Sequence, residues 1–486
     1  MMNETRTWEW SAEEIRRFGY RVVDEITEHL TRLPTSPVFR PFPPDLAERY
    51  LNEPPPTEGA PAEDILTAFK EDIEPYPFGN GHPRFFGWVN SPPAVIGVFA
   101  DALAAAMNPS CAGGNHAAIY VERQVLDWFK QIVGFSRDSM GLLVSGGSMA
   151  ALTALAVARH AKCGFDIRSK GLQFSPRRLV FYKTSEGHGC NQKAIEVLGI
   201  GSENLRIITH DSAFKMIPAE LDRVIERDLR EGNVPVAVIA SVGTVNTGAI
   251  DPVEEIADIC ARRNVWLHVD GAYGAPAILS TKYGPALGAL KRADSLAVDP
   301  HKWLYVPVEA GLVLVKDAEL MRSAFSLVPP YLRTDGSTSG VGGLPWFSEY
   351  GFQQTRAFRA LKVWMALKHH GLSGYRRAID ADITLAEYLA KSIDASPDLE
   401  LCRPQSLSIV CFRFAPARLK QNPQALESLN KTILETIQLS GRAFLSSTVL
   451  NGKFWLRACI VNPRARLEHM DELVELIRQT GLQCET

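Results

Sequence analysis

The sequence lacks the cysteine patterns that mark disulfide-rich and zinc-binding proteins. Its eight cysteines are scattered between Cys111 and Cys484, and no two of them form a Cys-x-x-Cys pair. In a chain of 486 residues this distribution predicts free thiols, and it favours neither a disulfide framework nor a metal site. We therefore expect no metal in the functional site.

An excess of one charge and long apolar runs are also missing. The formal net charge is −3, so no overall field would attract nucleic acid or an anionic membrane surface. No segment approaches the roughly 18 uncharged apolar residues that span a bilayer. Residues 1–14 mix Glu, Arg and Trp and contain no apolar signal core. These absences predict a cytoplasmic protein with neither nucleic-acid nor membrane partners.

The pattern along the chain predicts three regions and no internal repeat. Residues 1–85 read as a helical arm, because Ser11 and Glu14 form a capping box ahead of apolar residues at helical spacing. In residues 86–380, short β-rich runs alternate with helical stretches, which is typical of a mainly parallel sheet covered by helices on both faces. Residues 381–486 carry strand-like runs and a final helix, which indicates a smaller α+β domain. The expected fold class is therefore α/β.

A glycine-serine turn at 145–148 is the first candidate binding element. It lies between the apolar run 142–144 and the helical stretch 149–160, so the pattern predicts a strand, a turn and a helix. A helix N-terminus presents unpaired N–H groups and binds phosphate well, and glycine lets the backbone approach a ligand closely. Taken alone, the pattern also suits a plain helix cap. It is not a Walker loop, because no Gly-Lys-Ser/Thr follows.

Asp270 stands at the end of the second candidate element, the apolar run 266–270. Side chains alternate along a strand, so Trp266, His268 and Asp270 share one face. A carboxylate at that position can keep the nitrogen of a pyridine ring protonated and make the ring an electron sink. Taken alone, an aspartate that caps the next turn is the better interpretation. A metal pair of His268 and Asp270 lacks a third ligand at motif spacing.

Lys302 is the third candidate and carries the most specific signal. A β-rich run ends at Asp299-Pro300, and His301-Lys302-Trp303 follows at once. Most lysines are solvated surface groups, but this one follows a strand that reads as buried. We expect burial to lower the pKa of Lys302 and to prepare its amine for Schiff-base chemistry.

Taken in order, these motifs resemble those of the group II pyridoxal-phosphate decarboxylases, the family that includes aromatic-L-amino-acid decarboxylase. The resemblance covers nearly the whole chain and extends to the segments 82–86 and 356–359. It implies fold type I, with a large domain built on a seven-stranded sheet and a small C-terminal domain. It also implies that the N-terminal arm clasps the partner subunit of a homodimer.

The resemblance further implies roles for single residues. Lys302 would hold pyridoxal 5'-phosphate as a Schiff base, Asp270 would pair with the pyridine nitrogen, and His188 would stack on the ring. The remaining cofactor contacts that it implies are Gly147, Ser148, Thr244, Ala272 and His301. Tyr331, in a predicted long loop over 322–350, would return a proton to the α-carbon once CO2 has left. Tyr331 together with His188 favours amine formation over oxidative aldehyde synthesis.

The substrate side chain is predicted less sharply. The segments that would line its pocket supply Phe86, Trp88, Ser91, Asn115 and His116. Phe86 and Trp88 suit an aromatic substrate, whereas Asn115 and His116 suit a polar group. Arg84 is the one arginine in these segments that could pair with a side-chain carboxylate. Asp299 stands where animal relatives usually have Asn near the phosphate, and we assign it no binding role.

The sequence therefore predicts decarboxylation of an L-amino acid, an aromatic one in the first place, to the amine and CO2. Four alternatives stay open at this point. The same cofactor and reaction could act on a non-aromatic amino acid, or the enzyme could be an oxidative aldehyde synthase. A generic aminotransferase and a catalytically silent relative that binds a ligand are the other two.

Overall fold

The structure is a computed structural model that describes residues 9–328 and 346–485. Its N-terminal arm consists of three helices, α1 (Ala12–Arg32), α2 (Pro44–Asn52) and α3 (Ala62–Ala68), and a π-helical turn over Phe69–Ile73 follows α3. Ser11 and Glu14 form the expected capping box, because the Glu14 carboxylate accepts from the Ser11 N–H at 2.8 Å and the Glu14 N–H donates back to Ser11 Oγ. The predicted start of α1 is therefore confirmed.

The larger sheet has seven strands in the described residues. They are β1 (Met140–Val144), β2 (Leu179–Thr184), β3 (Leu205–Ile208), β4 (Val234–Ser241), β5 (Trp266–Asp270), β6 (Ser295–Val298) and β7 (Gly311–Val315). The strand order is β1-β7-β6-β5-β4-β2-β3. Strands β2 to β6 pair in parallel, whereas β7 runs antiparallel to both β1 and β6. The mainly parallel sheet is confirmed, and the apolar pattern could not show the direction of β7.

Helices cover this sheet on both faces, so its strands are almost entirely buried. The helices are α4 (Val95–Met107), α5 (Ala117–Val133), α6 (Gly147–Lys162), α7 (Ile167–Lys170), α8 (Gly189–Val197), α9 (Pro218–Arg230), α10 (Val253–Arg263), α11 (Gly284–Leu287) and α12 (Ala318–Phe325). No helix in the described ranges is long and apolar enough to cross a membrane. Tyr331 and most of the predicted 322–350 loop lie outside the described residues.

A long helix, α13 (Ala360–Asp394), leads into the C-terminal part of the chain, and its helical geometry is interrupted at Gly371. Four antiparallel strands follow, β8 (Leu399–Leu401), β9 (Ile409–Phe414), β10 (Ser446–Leu450) and β11 (Lys453–Cys459), together with α14 (Pro423–Ser440) and α15 (Leu467–Cys484). These elements enclose a hydrophobic core of their own. The three-region division remains a prediction, and its boundary at residue 380 falls inside α13.

A buried ion pair ties the elements that surround the sheet. Arg356 pairs with Glu122 of α5 and also donates to the backbone oxygens of Cys111 and Leu143, at 2.7 and 2.8 Å. A charge pair with so little solvent is stable only when its other hydrogen bonds are satisfied, as they are here. Arg356 therefore fixes the segment around Cys111 against the end of β1.

Candidate active site

A cleft of about 380 Å³ opens at the carboxyl ends of β4 and β5, beside the N-terminus of α6 and the turn after β6. This is where open α/β sheets bind ligands. All eight residues predicted to contact the cofactor line it: Gly147, Ser148, His188, Thr244, Asp270, Ala272, His301 and Lys302. The fold thus brings together side chains from five separate stretches of sequence.

The start of α6 forms an anion cradle at one end of this cleft. Gly147 is the first residue of the helix, so the N–H groups of its first turn have no partner within the helix. A Cβ on Gly147 would come within 2.9 Å of Asp299 Oδ2 and 3.2 Å of the Ala272 methyl group. Glycine therefore keeps this end of the cleft open for a phosphate.

Asp270 occupies the carboxyl end of β5, as its place in the sequence predicts. Its Oδ2 accepts from Asn191 Nδ2 at 3.0 Å, and its Oδ1 accepts from the Ala272 N–H at 3.3 Å. Both donors are neutral, so neither cancels the negative charge of the carboxylate. A ring nitrogen that carries a proton would supply that missing positive charge.

His188 caps α8 and faces the same cleft. Its Nδ1 accepts the backbone N–H of Cys190 at 3.1 Å, which leaves the ring proton on Nε2. Burial lowers the pKa of His188 below its ordinary value, although Asp270 attracts the charged form. Buried Lys183 holds the same turn, because its Nζ donates to the Gly187 oxygen at 2.8 Å. His188 is therefore a neutral, fixed ring at the cleft.

Lys302 lies in the turn after β6 with its Nζ 2.9 Å from Asp299 Oδ2. Burial pushes the pKa of Lys302 down, but the attraction and hydrogen bond of Asp299 outweigh burial, and the pKa is raised above its ordinary value. The predicted fall of this pKa is therefore wrong for the chain without cofactor. Asp299 is buried, and its Oδ1 has no hydrogen-bond partner among the described residues.

The residues after Lys302 anchor this turn to the C-terminal part of the chain. Trp303 Nε1 and the Tyr305 hydroxyl donate to Asp382 Oδ2 of α13 at 2.9 and 2.7 Å. Trp303 also stacks on Tyr273 with 5.0 Å between ring centroids, and Tyr273 bonds to Ser408 at 2.6 Å. Burial raises the pKa of Asp382 to about 7. The position of the lysine thus depends on contacts made in both parts of the chain.

Trp88 is the predicted substrate-pocket residue that lines the cleft. Its side chain is 43% exposed and stacks on Phe78 with 5.1 Å between ring centroids. Buried Arg457 holds its backbone, because Nη1 donates to the Trp88 oxygen at 2.8 Å. Ser91 is not a wall residue. Its hydroxyl donates to the His301 oxygen at 3.1 Å and supports the turn from behind.

Three further pocket predictions are not supported by the structure. Phe86 is buried in the core around the four-stranded sheet, because its backbone bonds to Phe444 and Cys459 and turns the ring away from the cleft. Asn115 is exposed and its Oδ1 accepts from the Tyr120 hydroxyl at 2.8 Å, while His116 stands at the start of α5. None of the three lines the cleft of this chain.

Asn191 and Tyr273 also belong to the site, although neither is among the residues predicted from the sequence. Asn191 lies three residues after His188, one helical turn further on, so a helix there would have placed both on one face. Tyr273 follows Ala272 directly and lines the cleft. Asp299, to which no role was assigned, stands one turn before Lys302 and forms its ion pair.

Three features of the cleft fit pyridoxal phosphate. A glycine keeps an anion cradle open at the start of α6, a carboxylate with neutral donors lies at the end of β5, and a lysine amine lines the same cleft. These groups match the phosphate, the ring nitrogen and the aldehyde of the cofactor.

Known proteins are similar to this chain in sequence. Residues 44–415 match the family model described as the pyridoxal-dependent decarboxylase conserved domain. The aromatic-L-amino-acid decarboxylase of Bacillus atrophaeus is 37% identical over 470 residues, which cover 96% of this chain and 95% of that protein. The acidic amino acid decarboxylase of Homo sapiens is 31% identical, with 90% and 85% of the two chains covered.

Solved structures agree with these sequence matches. The crystal structure of Oryza sativa TDC with PLP and tryptamine superposes with a TM-score of 0.90 at 25% identity and covers 99% of each chain. The shared fold is type I, with its seven-stranded sheet. The chain belongs to the pyridoxal-dependent decarboxylase family and takes pyridoxal phosphate as its cofactor.

Proposed function

We propose that this enzyme removes the α-carboxylate of an aromatic L-amino acid and releases CO2 and the arylalkylamine. The observation that carries the choice of substrate is the composition of the cleft wall. Trp88 offers an aromatic face there, whereas no arginine is found among the described residues that line the cleft. An aromatic side chain gains from stacking on such a wall, and a side-chain carboxylate would find no guanidinium partner.

Arg84 is the one arginine in the predicted pocket segments that could pair with the side-chain carboxylate of an acidic substrate. The contacts of Arg84 argue against such a role. Its Nη1 lies 3.2 Å from Glu472 of α15, and it lines a separate cleft that it shares with Phe86. The 37% identity to an aromatic-L-amino-acid decarboxylase supports the aromatic choice. The 31% identity to an acidic amino acid decarboxylase keeps acidic substrates within the test below.

We propose the following roles for the residues that line the cleft. Bound pyridoxal phosphate withdraws electrons from whichever α-bond of the substrate breaks. Lys302 would hold the cofactor covalently, and Asp270 would hold a proton on the ring nitrogen. The start of α6, with Ser148 and His301, would bind the phosphate. Neutral His188 would pack against the ring without adding charge, and Thr244 and Ala272 would shape the remaining wall.

The protein must also select which bond breaks and where the proton returns. The bond that lies perpendicular to the ring breaks most readily, so the wall around Trp88 would favour decarboxylation by orienting the substrate. We propose that the Tyr331 hydroxyl, outside the described residues, delivers the proton to the α-carbon after CO2 leaves. A segment that closes over the cleft at this stage would also exclude water.

We further propose a cytoplasmic homodimer in which the N-terminal arm packs on the partner subunit. No residue of α1 is buried in this chain, although Ile15, Tyr20 and Val23 are large apolar side chains. Such a face gains stability when a second subunit covers it. The eight cysteines are all unpaired and most are buried, which suits a reducing compartment. An active, soluble monomer after removal of the residues before Pro61 would contradict the dimer.

The test of the reaction is a product assay with a panel of amino acids. Purified protein is incubated with pyridoxal phosphate and L-Trp, L-Tyr, L-Phe, L-dihydroxyphenylalanine, L-Glu, L-Asp or cysteine sulfinate, and CO2, amine, aldehyde and peroxide are followed together. We expect amine and CO2 from an aromatic substrate, with loss of both in Lys302→Ala. Turnover confined to the acidic substrates would refute the substrate choice, and aldehyde with peroxide would refute the role of Tyr331.

A further inference from the structure

Asn191 is buried behind Asp270 and outside the wall of the cleft. Its side chain is fully shielded from solvent, and its Nδ2 donates to Asp270 Oδ2 at 3.0 Å. The amide cannot be turned around, because its oxygen would then face the carboxylate and two acceptors would repel each other. The direction of this hydrogen bond is therefore set by Asp270 itself.

The other end of the Asn191 amide shows that packing alone does not explain this residue. Its Oδ1 is buried and has no hydrogen-bond partner among the described residues. Leaving a buried acceptor unsatisfied destabilises a fold, and leucine would fill a similar volume without that cost. A buried polar side chain with an unsatisfied atom needs another contact that compensates for the lost stability. For Asn191 the structure shows such a contact, the hydrogen bond to Asp270.

Helix α8 links Asn191 to the rest of the site. His188 caps the helix, and the Asn191 N–H donates to the His188 oxygen at 3.2 Å. One helical turn therefore supplies both the ring that faces the cleft and the amide that holds Asp270. A shift of this turn would move both groups together.

We propose that Asn191 is a positioning residue, which holds the Asp270 carboxylate toward the cleft by its hydrogen bond and thereby favours protonation of the ring nitrogen of the bound cofactor. The inference rests on the cofactor site of the proposed function. A hydrogen bond to an ionised carboxylate lowers its affinity for a proton. The proton between Asp270 and the ring nitrogen is thereby biased toward the nitrogen, where it strengthens the electron sink.

Other charged or titratable groups face Asp270 without replacing this contact. They are His268 on its own strand, Lys183 near the end of β2, His188 and Cys190 at the start of α8, and Lys302 on the turn after β6. Lys183 donates to the Gly187 oxygen, and Lys302 pairs with Asp299 at 2.9 Å. The Asn191 amide is in direct hydrogen-bond contact with the Asp270 carboxylate.

The experiment measures the protonation of the ring nitrogen itself. Wild-type protein, Asn191→Leu and Asn191→Ala are loaded with pyridoxal phosphate that carries ¹⁵N in the ring, and the nitrogen chemical shift is recorded from pH 6 to 9. Thr184→Val is the matched control, because it removes another buried hydrogen-bonding atom without a partner and leaves Asp270 untouched. Circular dichroism and cofactor content check the fold of each variant.

We expect the wild type and Thr184→Val to show the protonated ring across this range. Both Asn191 variants should move toward the neutral ring, with the proton partition changed roughly tenfold, which is the effect of losing one hydrogen bond to a charged group. The kcat should fall while the KM for the substrate changes little. If leucine at position 191 disturbs the packing, the Asn191→Ala variant still tests whether the amide acts on Asp270.

Two different failures can be told apart. If both Asn191 variants retain the wild-type nitrogen shift, or if Thr184→Val moves it as much, Asn191 does not act through Asp270 and the inference is wrong. If the loaded wild type shows the ring signal but releases no CO2 from any amino acid of the panel, the proposed function fails. The nitrogen shifts would still decide the role of Asn191 in that case.

Discussion

The ion pair with Asp299 stabilises the charged form of Lys302, the proposed cofactor lysine, and Asp299→Asn removes this ion pair with little change of volume. Only the uncharged amine can attack the aldehyde of the cofactor. The two groups are 2.9 Å apart in the buried turn after β6. In the variant, burial continues to lower the pKa of Lys302 while its largest opposing influence is gone. We therefore expect covalent attachment of the cofactor to begin at lower pH.

The size of the effect follows from the geometry of the pair. A hydrogen bond between charged partners contributes about 1.5–3 kcal/mol. Because one pKa unit corresponds to about 1.4 kcal/mol, the pKa of Lys302 should fall by roughly one to two units in Asp299→Asn. Near neutral pH the fraction of uncharged amine should then rise roughly tenfold or more, and the rate of attachment should rise with it.

The assay follows the absorbance of the covalent adduct when cofactor-free protein is mixed with aldehyde between pH 6 and 10. Pyridoxal without its phosphate is used beside pyridoxal phosphate, so that loss of repulsion between Asp299 and the phosphate is measured separately. Lys302→Ala should give no adduct. Asp294→Asn is the matched control, because Asp294 is a half-buried carboxylate at the other end of β6 that accepts the Leu267 N–H at 2.8 Å.

The reasoning is refuted if the pH profile for pyridoxal is the same in Asp299→Asn and wild type. A shift of this pH profile to higher pH in Asp299→Asn would also refute the reasoning, because it would mean that Asp299 does not stabilise the charged amine of Lys302. If the variant forms the adduct faster with pyridoxal phosphate but not with pyridoxal, the effect comes from the loss of repulsion between Asp299 and the phosphate.

Three further predictions concern the wall, the cradle and the anchor of the site. Trp88→Ala should raise the KM for an aromatic substrate roughly threefold to tenfold, because it removes a stacking face. If steady-state kinetics give the same KM as for the wild type, Trp88 does not form part of the substrate wall. Gly311→Ala should weaken cofactor binding, because the new methyl group would collide with the backbone of Gly146 beside the anion cradle; an unchanged Kd in cofactor titration would contradict this. Asp382 has its pKa raised to about 7 by burial, so the folded chain loses stability as pH rises from about 4 to 7, by up to about 4 kcal/mol. Asp382→Asn should remove this loss, so its urea midpoint should exceed that of the wild type by clearly more at pH 8.5 than at pH 5; an equal difference at both pH values would count against it.

Three parts of the predicted cofactor site lie in local motifs, and the family resemblance implied its other residues. The Gly-Gly-Ser turn, Asp270 and Lys302 each stand at or just after the carboxyl end of a strand or at the start of a helix, and such positions can be read from neighbouring residues. A parallel sheet gathers these ends at one edge. All eight predicted cofactor residues accordingly line one cleft.

The substrate wall was predicted less well, because nearness in sequence does not decide which way a side chain points. Phe86 and Trp88 are two residues apart, yet Trp88 lines the cleft and Phe86 packs into the core around the smaller sheet. The backbone of Phe86 bonds to Phe444 and Cys459, more than 350 positions further along the chain. Only the tertiary structure contains the contacts that separate these two aromatic residues.

The sequence by itself singled out Lys302 and Asp270 as candidates for the chemistry, and the tertiary structure decided the contacts that set their charge and orientation. The buried strand before Lys302 could be predicted, but the sign of the pKa shift of this half-buried lysine came from the distance to Asp299. The bond from Asn191 to Asp270 joins residues 79 positions apart. The direction of β7 was equally hidden, since an apolar run looks the same in both directions. Local pattern specifies elements, whereas electrostatics and packing depend on distances between residues far apart in the chain.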